Sequence, residues 1–232
     1  MDKKIIDNQI IFGMSDKGDG QMIVCDDGVA QVNRRKFFDQ VGIDSGRMVA
    51  ASLVHGDQIA VVGDGDVGKL IPNTDGLITN KKNVCLTITG SDCMPVFFYD
   101  KINNVIGLVH AGWRGIVADI VPKMVKLMKT EFSPKKESIN VYLGPSIKKC
   151  HFEIKEDVLR YFKKYPEAII RQEEKIFVDL ELIVKKQLVE VGVLGENIKI
   201  DSVCTYCNKN YFSYRRDKPK QVTSQMAYIC LN

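Results

Sequence analysis

Between residues 83 and 115 the hydrophobic positions fall into two apolar runs separated by the polar stretch Asp100-Lys101-Ile102-Asn103-Asn104. That pattern predicts a β-hairpin with strands over 96–99 and 105–109, which brings its two outer ends together. A second hairpin is predicted over 10–14 and 21–25, around the polar turn 15–20. Val29, Val32, Phe37 and Val41 form an apolar stripe at helical spacing, and Gly42 ends that helix. Strands are expected over 48–55 and 58–62, followed by a Gly/Asp-rich loop over 63–72. A long amphipathic helix is expected over 116–132, restarting at Pro122. Beyond it come a strand at 139–143, helices at 156–164 and 180–191, and strands at 198–203 and 226–231. Strands and helices alternate irregularly. This predicts one α+β domain over 1–232, with a mixed β-sheet core flanked by helices, rather than a doubly wound parallel sheet.

Composition narrows the functional classes. With 45% hydrophobic and 27% charged residues the 232-residue chain reads as an ordinary globular protein. A net charge of +4 with only short basic pairs argues against nucleic acid or a membrane surface as partner, but suits small anions. No apolar run reaches the length of a signal peptide or a membrane span, so the expectation is a cytoplasmic protein with no obligate protein partner. Seven cysteines, an odd number in a chain too large to need staples, read as thiols and metal ligands rather than a disulfide framework.

The chemistry-bearing residues collect at the outer ends of the central hairpin. One end carries Ser91-Asp92-Cys93-Met94-Pro95 and the other His110-Ala111-Gly112-Trp113-Arg114-Gly115. His55, in Val54-His55-Gly56, is a second histidine expected at a strand end. His55, Cys93 and His110 together supply three nitrogen and sulfur ligands with a fourth position free, the pattern of catalytic zinc. An alternative needs no metal: Cys93 as a nucleophile activated by His110, with Asp92 or another polar group orienting the imidazole. Tyr214, Arg215 and Arg216, beside Phe212, suit a purine face or a phosphate. Arg34 is a further candidate for an anion, and Gly112 lets the backbone approach a ligand. Cys204-Thr205-Tyr206-Cys207 has no second C-x-x-C pair and reads as structural or incidental thiols, while Cys150-His151 stays undecided.

At these segments the chain resembles the laccase-domain proteins, once called multicopper polyphenol oxidases and now regarded as purine nucleoside phosphorylases. The resemblance rests on Phe12-Gly13-Met14-Ser15, Asn33-Arg34, Val54-His55-Gly56, Thr74-Asp75-Gly76-Leu77, the two hairpin ends, Leu143-Gly144-Pro145-Ser146-Ile147, Cys204-Thr205 and Phe212-Ser213-Tyr214-Arg215-Arg216. It implies a fold like the catalytic domain of the cytotoxic necrotizing factors and zinc on His55, Cys93 and His110, with copper able to replace it. The implied activity is phosphorolysis of adenosine, inosine, guanosine and methylthioadenosine, with adenosine deamination beside it. Some relatives are assigned instead to peptidoglycan editing. Orthophosphate would be clamped by Arg114, Arg215 and Arg216, with Lys17 and Arg34 as weaker candidates, and Asp92 or a zinc-bound water would supply a proton to the leaving purine. Lys17 stands where the family usually has arginine, Ser91 where it has alanine, and His151 where it often has a second cysteine. Three histidines in all are too few for the several copper ions of a true laccase.

Overall fold

A computed structural model describes residues 2–6, 9–24, 28–134 and 136–232. Two six-stranded sheets organise it. The first runs, edge to edge, through Asp2–Ile6, Ile10–Met14, Gln225–Leu231, Cys85–Gly90, Met48–Ala51 and Leu70–Ile71. The second runs through Ile198–Ile200, Ile139–Leu143, Met94–Asp100, Val105–Ala111, Gly76–Thr79 and Ile59–Val61. A small third sheet joins Glu153–Ile154, Lys175–Val178 and Ile169–Gln172.

The period of two along each strand decides what lies between the layers. In the central hairpin Phe97, Tyr99, Ile106 and Leu108 are buried with Phe12, Leu86, Ile88 and Ile229 of the first sheet, so the two sheets pack face to face. Met94, Val96, Phe98, Val105 and Val109 point the other way, onto the helices Ile120–Phe132 and Leu180–Glu190. On the outer face of the first sheet Phe37 and Phe38, from the helix Gly28–Val41, each meet the Tyr228 ring edge-on at 5.6 Å. The result is an α+β stack of helix, sheet, sheet and helices. Gly107 permits the helix contact, since a Cβ there would sit 3.0 Å from the Met124 sulfur.

The central hairpin forms as the apolar pattern requires, with Val96 opposite Val109 and Pro95 opposite His110. The expected long helix is two helices, Trp113–Val117 and Ile120–Phe132, separated at Asp119, whose φ is 62°. Pro122 sits in the first turn of the second, where its missing N–H costs nothing. Other expectations change. Ile10–Met14 pairs with Asp2–Ile6 and Gln225–Leu231 rather than with 21–25, because Met22 is drawn instead to the Ser224 carbonyl. Cys25 lies outside the described residues. The strand expected over 48–55 ends at Ala51. Cys85 and Cys230, read from the sequence as thiols, form a disulfide because the register of Cys85–Gly90 against Gln225–Leu231 places them opposite each other, with Cα atoms 4.4 Å apart. Among the described residues no helix is long and apolar enough to cross a membrane.

Candidate active site

His110 is the penultimate residue of the strand Val105–Ala111 and has the parity of Ile106 and Leu108, so its ring enters the layer between the sheets and is 3% exposed. Across the hairpin, Cys93 precedes the strand Met94–Asp100, next to Asp92, whose φ of 80° turns the chain sharply into the site. His55 arrives on the loop after Ala51, also left-handed, with φ 58°. The ligand atoms of His55, Cys93 and His110 lie within 4.8 Å of one another, and the two imidazoles meet edge to face at 4.8 Å. The three residues singled out in the sequence as a metal set are therefore brought together.

A fourth residue holds them. Asp75, fully buried before the strand Gly76–Thr79, accepts a hydrogen bond from the His110 ring through Nδ1 at 2.9 Å. The same carboxylate accepts the backbone N–H groups of Val54, His55 and Gly56 at 3.2, 2.9 and 2.8 Å. One buried carboxylate thus fixes the loop that carries one histidine and the tautomer of the other, leaving His110 Nε2 for the cluster. Burial opposes the charged Asp75, but the His110 ring and these amides outweigh it and hold the carboxyl below its ordinary range. Burial likewise opposes charge on Cys93 and on His110. Each overcomes it for the other: with help from His55 the thiol falls to about 6, and with help from Asp75 the imidazole rises to about 9.

The cluster opens into a cavity of about 670 Å³, lined on its apolar side by Ile23, Leu53, Phe152 and Val222, and at its mouth by Arg114, Tyr214 and Arg215. Gly112 lines it beside the ligands. A Cβ at that position would lie 3.3 Å from Cys93 Sγ and 3.3 Å from the His55 ring. Arg114 is exposed and rests over the Trp113 ring at 4.3 Å.

Asp92, expected to hand a proton to the leaving base, is occupied otherwise. Its Oδ1 accepts from the Thr205 hydroxyl at 2.6 Å, and its Oδ2 accepts from the Ser213 hydroxyl and the Arg215 amide at 3.0 and 2.8 Å. This fixes the carboxylate as the anchor of the 205–215 segment. Arg216 points away from the cavity and donates to the carbonyls of Thr205, Tyr206 and Tyr211 at 2.8, 2.8 and 2.7 Å, so its phosphate role gives way to a structural one. Arg215 lines the cavity, yet its guanidinium also holds the His151 and Glu153 carbonyls at 3.1 and 2.8 Å. Lys17 pairs with Asp217 at 3.1 Å, and Arg34 donates to the Met22 and Ile23 carbonyls; neither lines this cavity.

An α+β sandwich that brings a histidine and a cysteine from one hairpin rim to a second histidine on a neighbouring loop, backed by a buried aspartate, defines a class of small-molecule site with room for a metal ion. The family of multi-copper polyphenol oxidoreductase laccases matches residues 22–232, and the chain belongs to that family. It is 40% identical over 157 residues to a purine nucleoside phosphorylase of Clostridium acetobutylicum, covering 66% of this chain and 65% of that protein. It is 37% identical over 155 residues to a purine nucleoside phosphorylase of Bacteroides thetaiotaomicron, covering 64% of this chain and 57% of that one. The chain thus spans less than two thirds of these two relatives. Among solved structures, the hypothetical protein YfiH of Bacillus licheniformis superposes with a TM-score of 0.91 at 28% identity, covering 97% of this chain and 94% of its own. YlmD of Geobacillus stearothermophilus gives 0.86 at 28%, covering 96% and 90%.

Proposed function

We infer that the chain is a purine nucleoside phosphorylase whose reaction takes place where His55, Cys93 and His110 meet the cavity. The observation that carries this reading is the convergence of those ligand atoms within 4.8 Å at the wall of a 670 Å³ cavity, a volume that suits a nucleoside. The relatives from Clostridium acetobutylicum and Bacteroides thetaiotaomicron, both named purine nucleoside phosphorylases, point the same way.

The donor set fits a metal ion. Two imidazoles and a thiolate are the ligand types of zinc, and Asp75 on His110 is the carboxylate that usually stands behind such a histidine. A zinc ion bound there would supply Lewis acidity, and copper would find the same ligands acceptable. The protein's own residues do the rest. Arg114 at the mouth attracts orthophosphate, aided by Arg215 where its guanidinium borders the cavity. Phe152 and Tyr214 offer flat apolar surface to the purine of adenosine, inosine, guanosine or methylthioadenosine. The bond from C1′ to a phosphate oxygen forms as the glycosidic C–N bond breaks, and the base leaves with a proton taken from solvent at the open mouth. Deamination of adenosine needs a carboxylate to move protons at C6. No glutamate is found among the described residues lining the cavity, and both Asp92 oxygens are engaged, so the proposal rests on phosphorolysis.

The test is phosphate-dependent release of hypoxanthine from inosine, measured with metal content for the parent and for Cys93→Ala. Loss of activity together with about one metal ion per chain supports the reading. No phosphate-dependent release from a parent with metal on these ligands overturns it. A second reading rests on the line Cys93, His110, Asp75, which has the form of a nucleophile, base and orienting carboxylate. A hydrolase or deamidase of that kind would survive chelation and lose activity on alkylation of Cys93.

A further inference from the structure

Next to Thr205, whose hydroxyl bonds Asp92, two loops distant in sequence place four more ligand atoms together. Cys150 Sγ lies 3.7 Å from Cys204 Sγ and 3.9 Å from Cys207 Sγ. His151 Nδ1 lies 3.2 Å from Cys150 Sγ and 3.3 Å from Cys207 Sγ, and all four ligand atoms fall within 4.8 Å of one another. These spacings have a meaning. Four ligands on a tetrahedron around zinc, with Zn–S near 2.3 Å and Zn–N near 2.0 Å, stand about 3.5 to 3.8 Å apart along each edge. The four distances fall within about 0.3 Å of those edges.

The backbone is arranged for the same purpose. The amides of Lys148 and Cys207 donate to the Cys204 sulfur and hold it in place. The His151 ring is held by stacking on Tyr206, with centroids 3.8 Å apart and planes 18° from parallel. The Ser146–Cys204 bridge and the bond from the Thr205 amide to the Ser146 carbonyl align the two loops. Arg215 grips the carbonyls of His151 and Glu153 on one loop, and Arg216 those of Thr205 and Tyr206 on the other.

We propose that Cys150, His151, Cys204 and Cys207 bind a structural zinc ion that ties the 148–153 loop to the 204–211 loop. Four protein ligands close the coordination sphere, so this ion has no position left for a substrate. Its role is mechanical: the pinned loop presents Thr205 to Asp92, next to Cys93. The centre stands on its own geometry and does not depend on the phosphorylase reading.

The test removes the other ligand set and counts what remains. In the double variant His55→Ala with Cys93→Ala, about one zinc ion per folded chain is expected to stay, and adding Cys207→Ser is expected to abolish it. Cobalt loaded into that double variant should give thiolate charge-transfer absorption of the strength of three sulfur ligands. A folded double variant with no bound metal overturns the proposal, as does a disulfide between any two of these cysteines in non-reduced peptide maps of freshly purified protein. The parent gives a reading free of any folding defect. Cys150 and Cys207, both exposed, should resist N-ethylmaleimide until a chelator is added, and rapid labelling beforehand overturns the proposal. Because phosphorolysis is not the readout, failure of the activity assay leaves these outcomes intact.

Discussion

Asp75 and His110, 35 residues apart in the chain, meet through a 2.9 Å hydrogen bond in which the carboxylate has no solvent exposure and the imidazole almost none. A charge buried to this degree is stable only with partners on both oxygens, and Asp75 has the His110 ring and three loop amides. Asp75→Asn keeps the shape and removes the charge. It also turns an amide N–H₂ toward groups that themselves donate. Metal affinity at His55, Cys93 and His110, measured by competition with a chelator, is expected to fall about 10- to 100-fold. A variant that binds metal as tightly as the parent would assign Asp75 to loop stability alone.

The proximity of Gly112 to the ligands sets a steric expectation. Its φ of −68° is open to any residue, so Gly112→Ala strains no backbone. The added methyl would press on Cys93 Sγ and the His55 ring, each 3.3 Å away. Displacing ligands by a few tenths of an ångström should cost about tenfold in activity while leaving the melting temperature close to that of the parent. A large fall in melting temperature would point to a packing role instead.

How far the site could be read from the chain depended on sequence distance. The hairpin that carries Cys93 and His110 is local, its turn is polar and its strands are apolar, so period and turn chemistry locate it. His55 was found through its glycine neighbour, although it stands on a left-handed loop rather than at a strand end. Asp75 was visible only as part of Thr74-Asp75-Gly76-Leu77. Nothing local marks an aspartate as buried until the strand pairing that brings Gly76 opposite Val109 is known. The Cys204-x-x-Cys207 pair looked incidental because its partners Cys150 and His151 lie more than fifty residues upstream, as the 54-residue separation of Cys150 and Cys204 shows. Arginine was the least legible type. Arg114, Arg215 and Arg216 look alike in sequence, yet one lies at the cavity mouth and another is consumed by carbonyls.

The coupled thiol and imidazole give a pH expectation for metal-free protein. Cys93 ionises at about 6, far below the ordinary thiol value of 9.0, because His110 carries the compensating charge. The thiolate is the reactive form, so the rate of Cys93 alkylation should rise with pH through a midpoint near about 6 and be flat by neutral pH. His110→Gln removes the partner charge, and the midpoint should then move up by more than one unit. A parent midpoint at the ordinary thiol value would show that the pair does not form.

On the phosphorylase reading, Arg114 should control phosphate rather than nucleoside, since it is an exposed cation that lines the cavity over Trp113. Arg114→Ala is expected to lower kcat/KM for phosphate about 10- to 100-fold, with a much smaller change in KM for inosine. Arg114→Lys should recover only part of the loss, because a single ammonium cannot reproduce the guanidinium fork. Equal effects on both substrates would place Arg114 outside the phosphate path.

Arg216 provides the contrasting case. Its guanidinium serves the carbonyls of Thr205, Tyr206 and Tyr211 and pairs with Asp217 through Nε at 2.7 Å. That pair, joined by Lys17, holds the Asp217 carboxyl well below its ordinary range. A depressed carboxyl adds stability above its unfolded pKa, and the contribution is lost as pH falls through the folded one. Arg216→Gln leaves several carbonyls short of donors, and hydrogen bonds from a charged group each contribute about 1.5–3 kcal/mol. Urea denaturation at neutral pH should therefore show a loss of about 2 kcal/mol or more, shrinking below about pH 4 as Asp217 becomes protonated in the unfolded chain. KM for phosphate should not change, because the side chain does not reach the cavity. A stable variant with weakened phosphate binding would return Arg216 to the clamp that the sequence suggested.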